Sequence, residues 1–175
     1  MNTTIKRIAF VLITLIVNIL LDQWTKGIAI EKLMGEPSTY YMNDLFVLTF
    51  VENDGAFLSL GSDLNPTLQL VLLKALPVLM LSLLTFYTFF SKELNRYQIL
   101  ALSFILGGGI SNIYDRLLFG KVVDFMNMGI GSLRTGIFNF ADVSIMVGIG
   151  IFLFSNLLMK KKKEEEIEAP LREGS

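Results

Sequence analysis

The 175-residue sequence contains no cysteine and no histidine. These absences exclude disulfide bonds, thiolate nucleophiles, imidazole general bases and the common zinc ligands. Charged residues are also scarce, at 18% of the sequence. Any chemistry that the chain performs must therefore depend on carboxylates, hydroxyls, amides, lysine, arginine or tyrosine.

Apolar residues are abundant instead. They make up 53% of the sequence, phenylalanine occurs 14 times and the mean hydropathy is +0.58, which indicates a membrane protein. Because an apolar helix needs about 20 residues to cross a bilayer, we expect a mainly α protein with four transmembrane helices at about residues 8–26, 67–90, 97–117 and 140–159. Residues 39–61 begin with aromatic and β-branched residues, which predicts a small extramembrane sheet.

The first apolar run has a second possible interpretation as a secretory signal, because Lys6 and Arg7 precede Ile8–Leu21. No small-x-small cleavage site follows the run, and Trp24 at its end is typical of a membrane interface. We therefore interpret it as a retained first transmembrane helix.

The basic residues predict the topology, because short basic segments stay in the cytoplasm. An even number of helices places Lys6-Arg7, Lys92 with Arg96, and Lys160–Lys163 on one side. We expect one membrane domain over residues 1–159 with both termini cytoplasmic. We expect residues 160–175 to form a charged cytoplasmic tail that is disordered over Glu164–Ser175.

This topology brings four carboxylates to the outer membrane boundary. Asp22 and Asp115 end the first and third helices, Asp124 lies in the loop that follows, and Asp142 lies in the first turn of the fourth helix. Ionisable residues at this depth are functional candidates, because hydrocarbon penalises charge unless it is paired or hydrated. The same level also contains Asn53, Asn112 and Asn139.

Paired carboxylates can perform hydrolysis without histidine, cysteine or metal. Two that lie close together share a proton, so one can remove a proton from water while the other donates one. We therefore predict hydrolysis by an aspartate pair, with no metal and no other cofactor. Spacing alone leaves Asp115 with Asp142 as an alternative to Asp124 with Asp142.

Five motifs occur in order: LDQWTK (Leu21–Lys26), NDGAFLS (Asn53–Ser59), GGGISNIYDR (Gly107–Arg116), VVDF (Val122–Phe125) and FNFAD (Phe138–Asp142). Up to about Phe154 the sequence resembles the bacterial lipoprotein signal peptidases, also called signal peptidase II. The resemblance implies an intramembrane aspartic endopeptidase of the bacterial inner membrane, with its active site toward the outer face. It would remove the signal peptide of a prolipoprotein by cutting before a cysteine that carries diacylglycerol.

The resemblance also implies roles for individual residues. The catalytic pair falls on Asp124 of VVDF and Asp142 of FNFAD. The supporting polar positions fall on Asp22, Lys26, Asn53, Gly55, Asn112, Asp115, Arg116 and Asn139. We expect lipid-modified prolipoproteins and membrane lipids as partners, no nucleic acid, and a monomer.

Similar enzymes have an extracytoplasmic β-cradle and a mobile periplasmic helix, which correspond here to Thr39–Gly61. The sequence departs from the family at Ser111, where Gly is more frequent, and at Phe57-Leu58, where Ala-Phe is more frequent. These departures affect helix packing and substrate contacts.

Several of these residues have structural interpretations too. Asp22 and Lys26, spaced i,i+4, could form a plain interfacial ion pair or part of the site. Arg116 could hold Asp115 ionised and tie the third helix to the outer loop. Asn112 and Asn139 could satisfy buried backbone groups, or they could position the substrate backbone or the aspartates.

Gly107-Gly108-Gly109 favours close helix packing over a phosphate-binding loop, because no strand precedes it and no Lys-Ser/Thr follows. A small transporter or proton-coupled channel is the alternative function. Such a protein needs polar groups throughout the bilayer depth, whereas here they cluster at one face. A purely structural membrane subunit would not need several carboxylates near the membrane.

Overall fold

The computed structural model describes residues 3–55, 61 and 63–173. Within these residues the chain forms four long helices and one antiparallel sheet of four strands. The helices are α1 (Thr3–Leu33), α2 (Pro66–Phe90), α3 (Arg96–Leu118) and α4 (Phe140–Glu173). The strands are β1 (Thr39–Tyr41), β2 (Phe46–Asn53), β3 (Val122–Ile130) and β4 (Leu133–Arg134).

Each of the four helices has a segment long and apolar enough to cross a membrane, as predicted. α1 is longer than predicted, because it continues for two turns beyond Lys26 through residues that mostly favour helix. α2 contains a π-helical turn at Leu70–Ala75 just before Pro77, which has no backbone N–H to continue the regular ladder.

Helix α3 is the central helix of the bundle. In the most apolar 18-residue stretch of α3, 56% of the residues are buried, whereas in the corresponding stretch of α2 only 6% are buried. Its Leu106 packs against Val11 and Leu15 of α1 to form the apolar core. The outer helices expose many large apolar side chains, as expected for surfaces that contact lipid.

Three consecutive glycines let the other helices approach α3 closely. A Cβ atom on Gly107 would lie 2.7 Å from Cβ of Asn18 in α1, and one on Gly109 would lie 2.7 Å from Leu81 in α2. A Cβ atom on Gly108 would collide with the backbone carbonyl oxygen of Ala141 in α4. The prediction of close packing through small residues is therefore confirmed.

The first half of the sheet agrees with the sequence. β1 and β2 flank a turn in which Met42, Asn43 and Asp44 have φ of 53°, 52° and 66°. Asn and Asp tolerate this left-handed region better than most residues do. The β-rich region was predicted to extend to residue 61, but β2 ends at Asn53.

The second half of the sheet was not predicted, and one site residue is affected. Asp124 lies in strand β3, opposite Val51 of β2, and the prediction that it lies in a loop is wrong. The reason is local, because Val122, Val123 and Phe125 around it favour a strand.

A short backbone pairing connects β3 to the start of α4. The N–H of Phe138 donates to Met126 O at 2.8 Å, and Phe138 O accepts from the N–H groups of Phe125 and Met126 at 3.1 and 2.9 Å. The next residue, Asn139, is thereby held beside the strand that contains Asp124.

Two expectations concern the chain ends and the outer loop. The prediction of disorder from Glu164 is wrong through Glu173, because α4 continues that far. The Lys and Glu residues of this segment favour helix. Within Thr39–Gly61, the segment expected to hold the β-cradle and a periplasmic helix, residues 56–60, which include Phe57 and Leu58, lie outside the described residues.

Candidate active site

Asp124 of β3 and Asp142 of α4 line the same small cavity. The remaining lining residues are Asn53, Asn112, Arg116, Val122, Ile137 and Asn139. The cavity measures about 20 Å³, which is room for about one water molecule. The site therefore brings two carboxylates to a space that one attacking water could occupy.

Asp142 is positioned by the cap of its own helix. The Oδ1 atom of Asn139 accepts from the backbone N–H of Asp142 at 3.1 Å, and Oδ2 of Asp142 accepts from the backbone N–H of Asn139 at 3.0 Å. This reciprocal pair is a capping box, in which the N-cap residue and the third helical residue satisfy each other. The N-x-x-D signal is present in the sequence as Asn139-Phe140-Ala141-Asp142, although this capping box was not predicted.

Asn112 of α3 holds the second oxygen of Asp142. Its Nδ2 donates to Oδ1 of Asp142 at 3.0 Å. The Oδ1 atom of Asn112 accepts from Asn139 Nδ2 at 3.1 Å and from Lys26 Nζ at 2.9 Å. These two donors fix the orientation of the amide, since its oxygen must face them.

Asp124 is held by two asparagine side chains. Its Oδ1 accepts from Asn139 Nδ2 at 2.7 Å, and its Oδ2 accepts from Asn53 Nδ2 at 2.8 Å. Asn53 is oriented in turn by the N–H of Gly55, which donates to its Oδ1 at 3.0 Å. Each of the four carboxylate oxygens of the pair thus accepts an amide N–H, and the asparagines position the aspartates.

The pKa of Asp124 is raised above its ordinary value, chiefly because burial penalises the charged carboxylate. The negative charge of Asp142 raises this pKa further. The hydrogen bonds from Asn53 and Asn139 and the charge of Lys26 act in the opposite direction. Asp124 therefore holds its proton to a higher pH than an ordinary aspartate does.

A second group of charges lies beside the pair. Lys26 of α1 donates from Nζ to Asp22 Oδ2 at 2.7 Å, to Asp115 Oδ2 at 2.6 Å and to Asn112 Oδ1 at 2.9 Å. Asp22 is 0% exposed, Lys26 3% and Asp115 4%. The predicted i,i+4 pair is confirmed, but it is buried rather than interfacial, and it reaches the aspartate pair through Asn112.

Asp22 also ties α1 to the beginning of α4. Its Oδ1 accepts from the backbone N–H of Ala141 at 2.8 Å, and its Oδ2 accepts from Ser111 Oγ at 2.7 Å. Gln23 donates to Asp115 Oδ1 at 2.9 Å and to Ser111 Oγ at 3.0 Å. Gln23 was not predicted as a site residue, although it lies inside the LDQWTK motif, and these hydrogen bonds of Ser111 were not predicted either.

Arg116 has a different partner from the one predicted. It does not form an ion pair with Asp115, whose partner among the described residues is Lys26. The guanidinium of Arg116 donates to Gly55 O at 2.9 and 3.3 Å and to Asn112 O at 3.3 Å. The predicted link from the third helix to the outer segment is therefore confirmed, whereas the predicted pairing with Asp115 is wrong.

Asp115 does not line the cavity that Asp124 and Asp142 share. Both of its oxygens accept hydrogen bonds, one from Lys26 and one from Gln23. The alternative pair of Asp115 with Asp142 is therefore not favoured by the geometry. All ten residues identified in the sequence belong to one connected network at one end of the helices.

Comparison with known proteins identifies the family of this chain. The family model described as signal peptidase (SPase) II matches residues 13–158. The chain belongs to the signal peptidase II family. It is 33% identical over 171 residues to the lipoprotein signal peptidase of Borrelia hermsii, with 94% of this chain and 99% of the relative covered. It is 35% identical over 168 residues to that of Borrelia duttonii, with 93% and 98% covered.

The fold also occurs in solved structures. A bacterial membrane enzyme solved at 2.3 Å by the in meso method aligns with a TM-score of 0.74 and 24% identity, covering 89% of this chain and 92% of that chain. A second such enzyme, solved at 1.9 Å, aligns with a TM-score of 0.71. The four apolar helices and the family membership together show that this chain is a multi-pass membrane protein.

Proposed function

We propose that this member of the signal peptidase II family is an aspartic endopeptidase that removes the signal peptide from prolipoproteins, with Asp124 and Asp142 as the catalytic pair. One observation carries the assignment of the pair: both carboxylates line a cavity with room for about one water. The names of the relatives support the substrate class.

The chemistry follows from a pair that shares one proton. Asp142, fixed by the N–H of Asn139 and by Asn112, removes a proton from the water as its oxygen attacks the scissile carbonyl. Asp124, whose pKa is raised by burial, donates its proton to the carbonyl oxygen. When the tetrahedral intermediate collapses, the C–N bond breaks and the leaving amine takes the proton held by Asp142. The C=O bond forms again as the hydroxyl that Asp124 protonated returns its proton to Asp124, which leaves a carboxylic acid and restores the pair.

The position of the pair suits a substrate anchored in lipid. Asp142 lies in the first turn of α4, and Asp124 lies in the sheet that covers this end of the bundle. We propose that the acyl chains of a diacylglyceryl cysteine stay in the bilayer while the peptide before it reaches the cavity. Cleavage before that cysteine would release the signal peptide.

We propose that both termini are cytoplasmic and that the aspartate pair is at the outer face of the bacterial inner membrane. The basic residues at the opposite end of the helices support this orientation. A single chain supplies every group of the site, which supports a monomer. The transporter alternative is not favoured, because the polar network occupies one end of the bundle and the relatives are peptidases.

The decisive experiment measures cleavage of a diacylglyceryl-modified prolipoprotein by the purified protein. Asp124→Asn and Asp142→Asn should each lower the rate by about a thousandfold or more, with unfolding temperatures that show intact protein. Asp44→Asn, the same change at an exposed turn on the same side, should leave the rate unchanged. The wild type should also remain active in excess EDTA.

Two results would overturn the assignment. Near-normal cleavage by Asp124→Asn together with loss of cleavage by Asp115→Asn would make Asp115 the partner of Asp142. No cleavage of the lipid-modified substrate by folded wild-type protein would reject the function itself.

The orientation can be tested independently, because the chain has no cysteine and single cysteines can be introduced. Thr39→Cys and Lys92→Cys are at exposed positions on opposite sides of the predicted membrane. In intact cells a membrane-impermeant thiol reagent should label the cysteine at position 39 only. Labelling at position 92 only would reverse the proposed orientation.

A further inference from the structure

A larger cavity lies between the amino-terminal ends of α1 and α3, far from the aspartate pair. Its volume is about 530 Å³, within the range of about 300–1,000 Å³ that is typical of small-molecule sites. Along α3, Arg96 at this cavity and Asn112 at the active site are separated by about 24 Å, at a rise of 1.5 Å per residue. The two sites are therefore at opposite membrane faces.

Three cations line this cavity: Lys6, Arg7 and Arg96. In the part of the chain that the structure describes, the ion pairs involve other basic residues, so no carboxylate balances these three charges. Such an excess of positive charge favours an anionic ligand.

Two of the cations are held in place by hydrogen bonds and a ring contact rather than by a carboxylate. Arg7 donates from Nη1 to Ser91 O at 2.6 Å and from Nε to Thr88 O at 3.0 Å, which caps the carboxyl end of α2. The guanidinium of Arg96 lies over the ring of Tyr97 at 4.7 Å and donates to its hydroxyl at 2.8 Å. Lys6 is exposed and completes the group.

The rest of the wall is apolar and consists of Phe10, Ile99 and Leu100. These residues follow the cations along α1 and α3 in the direction of the membrane interior. A ligand that matches both parts has a negative head and a long hydrocarbon chain. Basic pockets between transmembrane helices at the cytoplasmic side bind lipid headgroups in this way.

We propose that this cavity binds an anionic phospholipid, with its phosphate between Lys6 and Arg96 and an acyl chain along Phe10 and Leu100. A zwitterionic lipid fits less well, because its own cation would face three positive side chains that form no ion pair among the described residues. The proposal concerns a site outside the catalytic network, and it does not depend on the proposed function.

Native mass spectrometry of the purified full chain tests the proposal with phosphatidylglycerol and phosphatidylcholine of identical acyl chains. Phosphatidylglycerol should bind at least about fivefold more tightly to the wild type. Lys6→Gln and Arg96→Gln should each weaken its binding about fivefold, and the double variant about 25-fold. Phosphatidylcholine binding should not change.

Lys92→Gln is the matched control, because Lys92 is an exposed cation at the same end of the helices but does not line the cavity. It should bind both lipids as the wild type does, and Arg96→Lys should keep most of the preference. Equal binding of the two lipids by the wild type would overturn the proposal. The proposal would also be overturned if Lys92→Gln lost as much phosphatidylglycerol binding as Lys6→Gln, or if Lys6→Gln lost none. If Arg96→Gln fails to fold, the result for Lys6→Gln decides alone.

Discussion

Lys26 donates a hydrogen bond of 2.9 Å from Nζ to Oδ1 of Asn112, and this contact joins a buried ion-pair group to the aspartate pair. Because the ammonium group can only donate, the amide oxygen of Asn112 must face it. The amide nitrogen is then directed to Asp142, to which it donates at 3.0 Å. Lys26 is therefore a positioning residue that acts on Asp142 through Asn112.

Replacing Lys26 tests this role. Lys26→Met leaves the carboxylates of Asp22 and Asp115 buried without their cation, and removing one member of a buried ion pair costs about 3–5 kcal/mol. We expect a lower unfolding temperature in detergent and a lower kcat. Lys32→Met is the control, because Lys32 pairs with Glu31 at the exposed end of the same helix and should cost at most about 1 kcal/mol. Equal effects of the two substitutions would refute the role of Lys26.

The raised pKa of Asp124 predicts how stability depends on pH. In the unfolded chain the pKa of aspartate is about 3.9, and the folded chain holds the proton to a higher pH. The stabilisation from this proton is complete below about pH 4 and is lost as the pH rises through the folded pKa. Asp124→Asn removes the titration.

We therefore expect the unfolding temperature of Asp124→Asn, relative to the wild type, to rise between pH 4 and pH 8. Thermal unfolding of both proteins across this range provides the measurement. A constant difference between Asp124→Asn and the wild type across this range would contradict the raised pKa.

We expect Asn53 to lower the pKa of the Asp124 carboxyl. Its hydrogen bond of 2.8 Å to Asp124 Oδ2 lowers the pKa of that carboxyl, so Asn53→Ala should raise it further. If Asp124 holds the catalytic proton, the alkaline limb of the pH profile for kcat should move to higher pH. The rate itself should fall by up to about a hundredfold, because Asp124 loses a positioning contact. A rate loss without any shift of the profile would leave Asn53 with a structural role only.

Gly108 tests the packing that brings α3 and α4 together. In Gly108→Ala the new methyl group would meet the carbonyl oxygen of Ala141, one residue before Asp142. We expect destabilisation of about 1–3 kcal/mol and reduced cleavage. In Gly150→Ala, where nothing lies within 4 Å of the added atom, alanine should be neutral or stabilise the helix by up to about 1 kcal/mol. Similar unfolding temperatures for both variants would refute the close-packing role.

Much of the site was predictable, because its elements are local in sequence. Hydropathy identified the four helices, and the Asp22–Lys26 spacing identified an ion pair on one helical face. The order of the motifs indicated the family, which the comparisons confirm. The absence of cysteine and histidine restricted the chemistry to groups that include the two aspartates.

The partners of these groups depended on contacts between distant segments. Asp115 and Arg116 are adjacent in sequence, yet Asp115 pairs with Lys26 of α1 while Arg116 binds Gly55 after β2. Successive residues of a helix point about 100° apart, so neighbours along the chain face different partners. Spacing within one segment carries no information about which other segment lies opposite.

The sequence by itself determined the class of the protein, its membrane segments and the residue types available for chemistry. Only the tertiary structure decided that Asp124 is in a strand, and that the antiparallel pairing of β2 with β3 brings Asn53 to Asp124. It also decided that Phe138 holds Asn139 between Asp124 and Asp142. The physical reason is that hydropathy and spacing act within a segment, whereas a shared cavity requires backbone hydrogen bonds that join segments far apart in the chain.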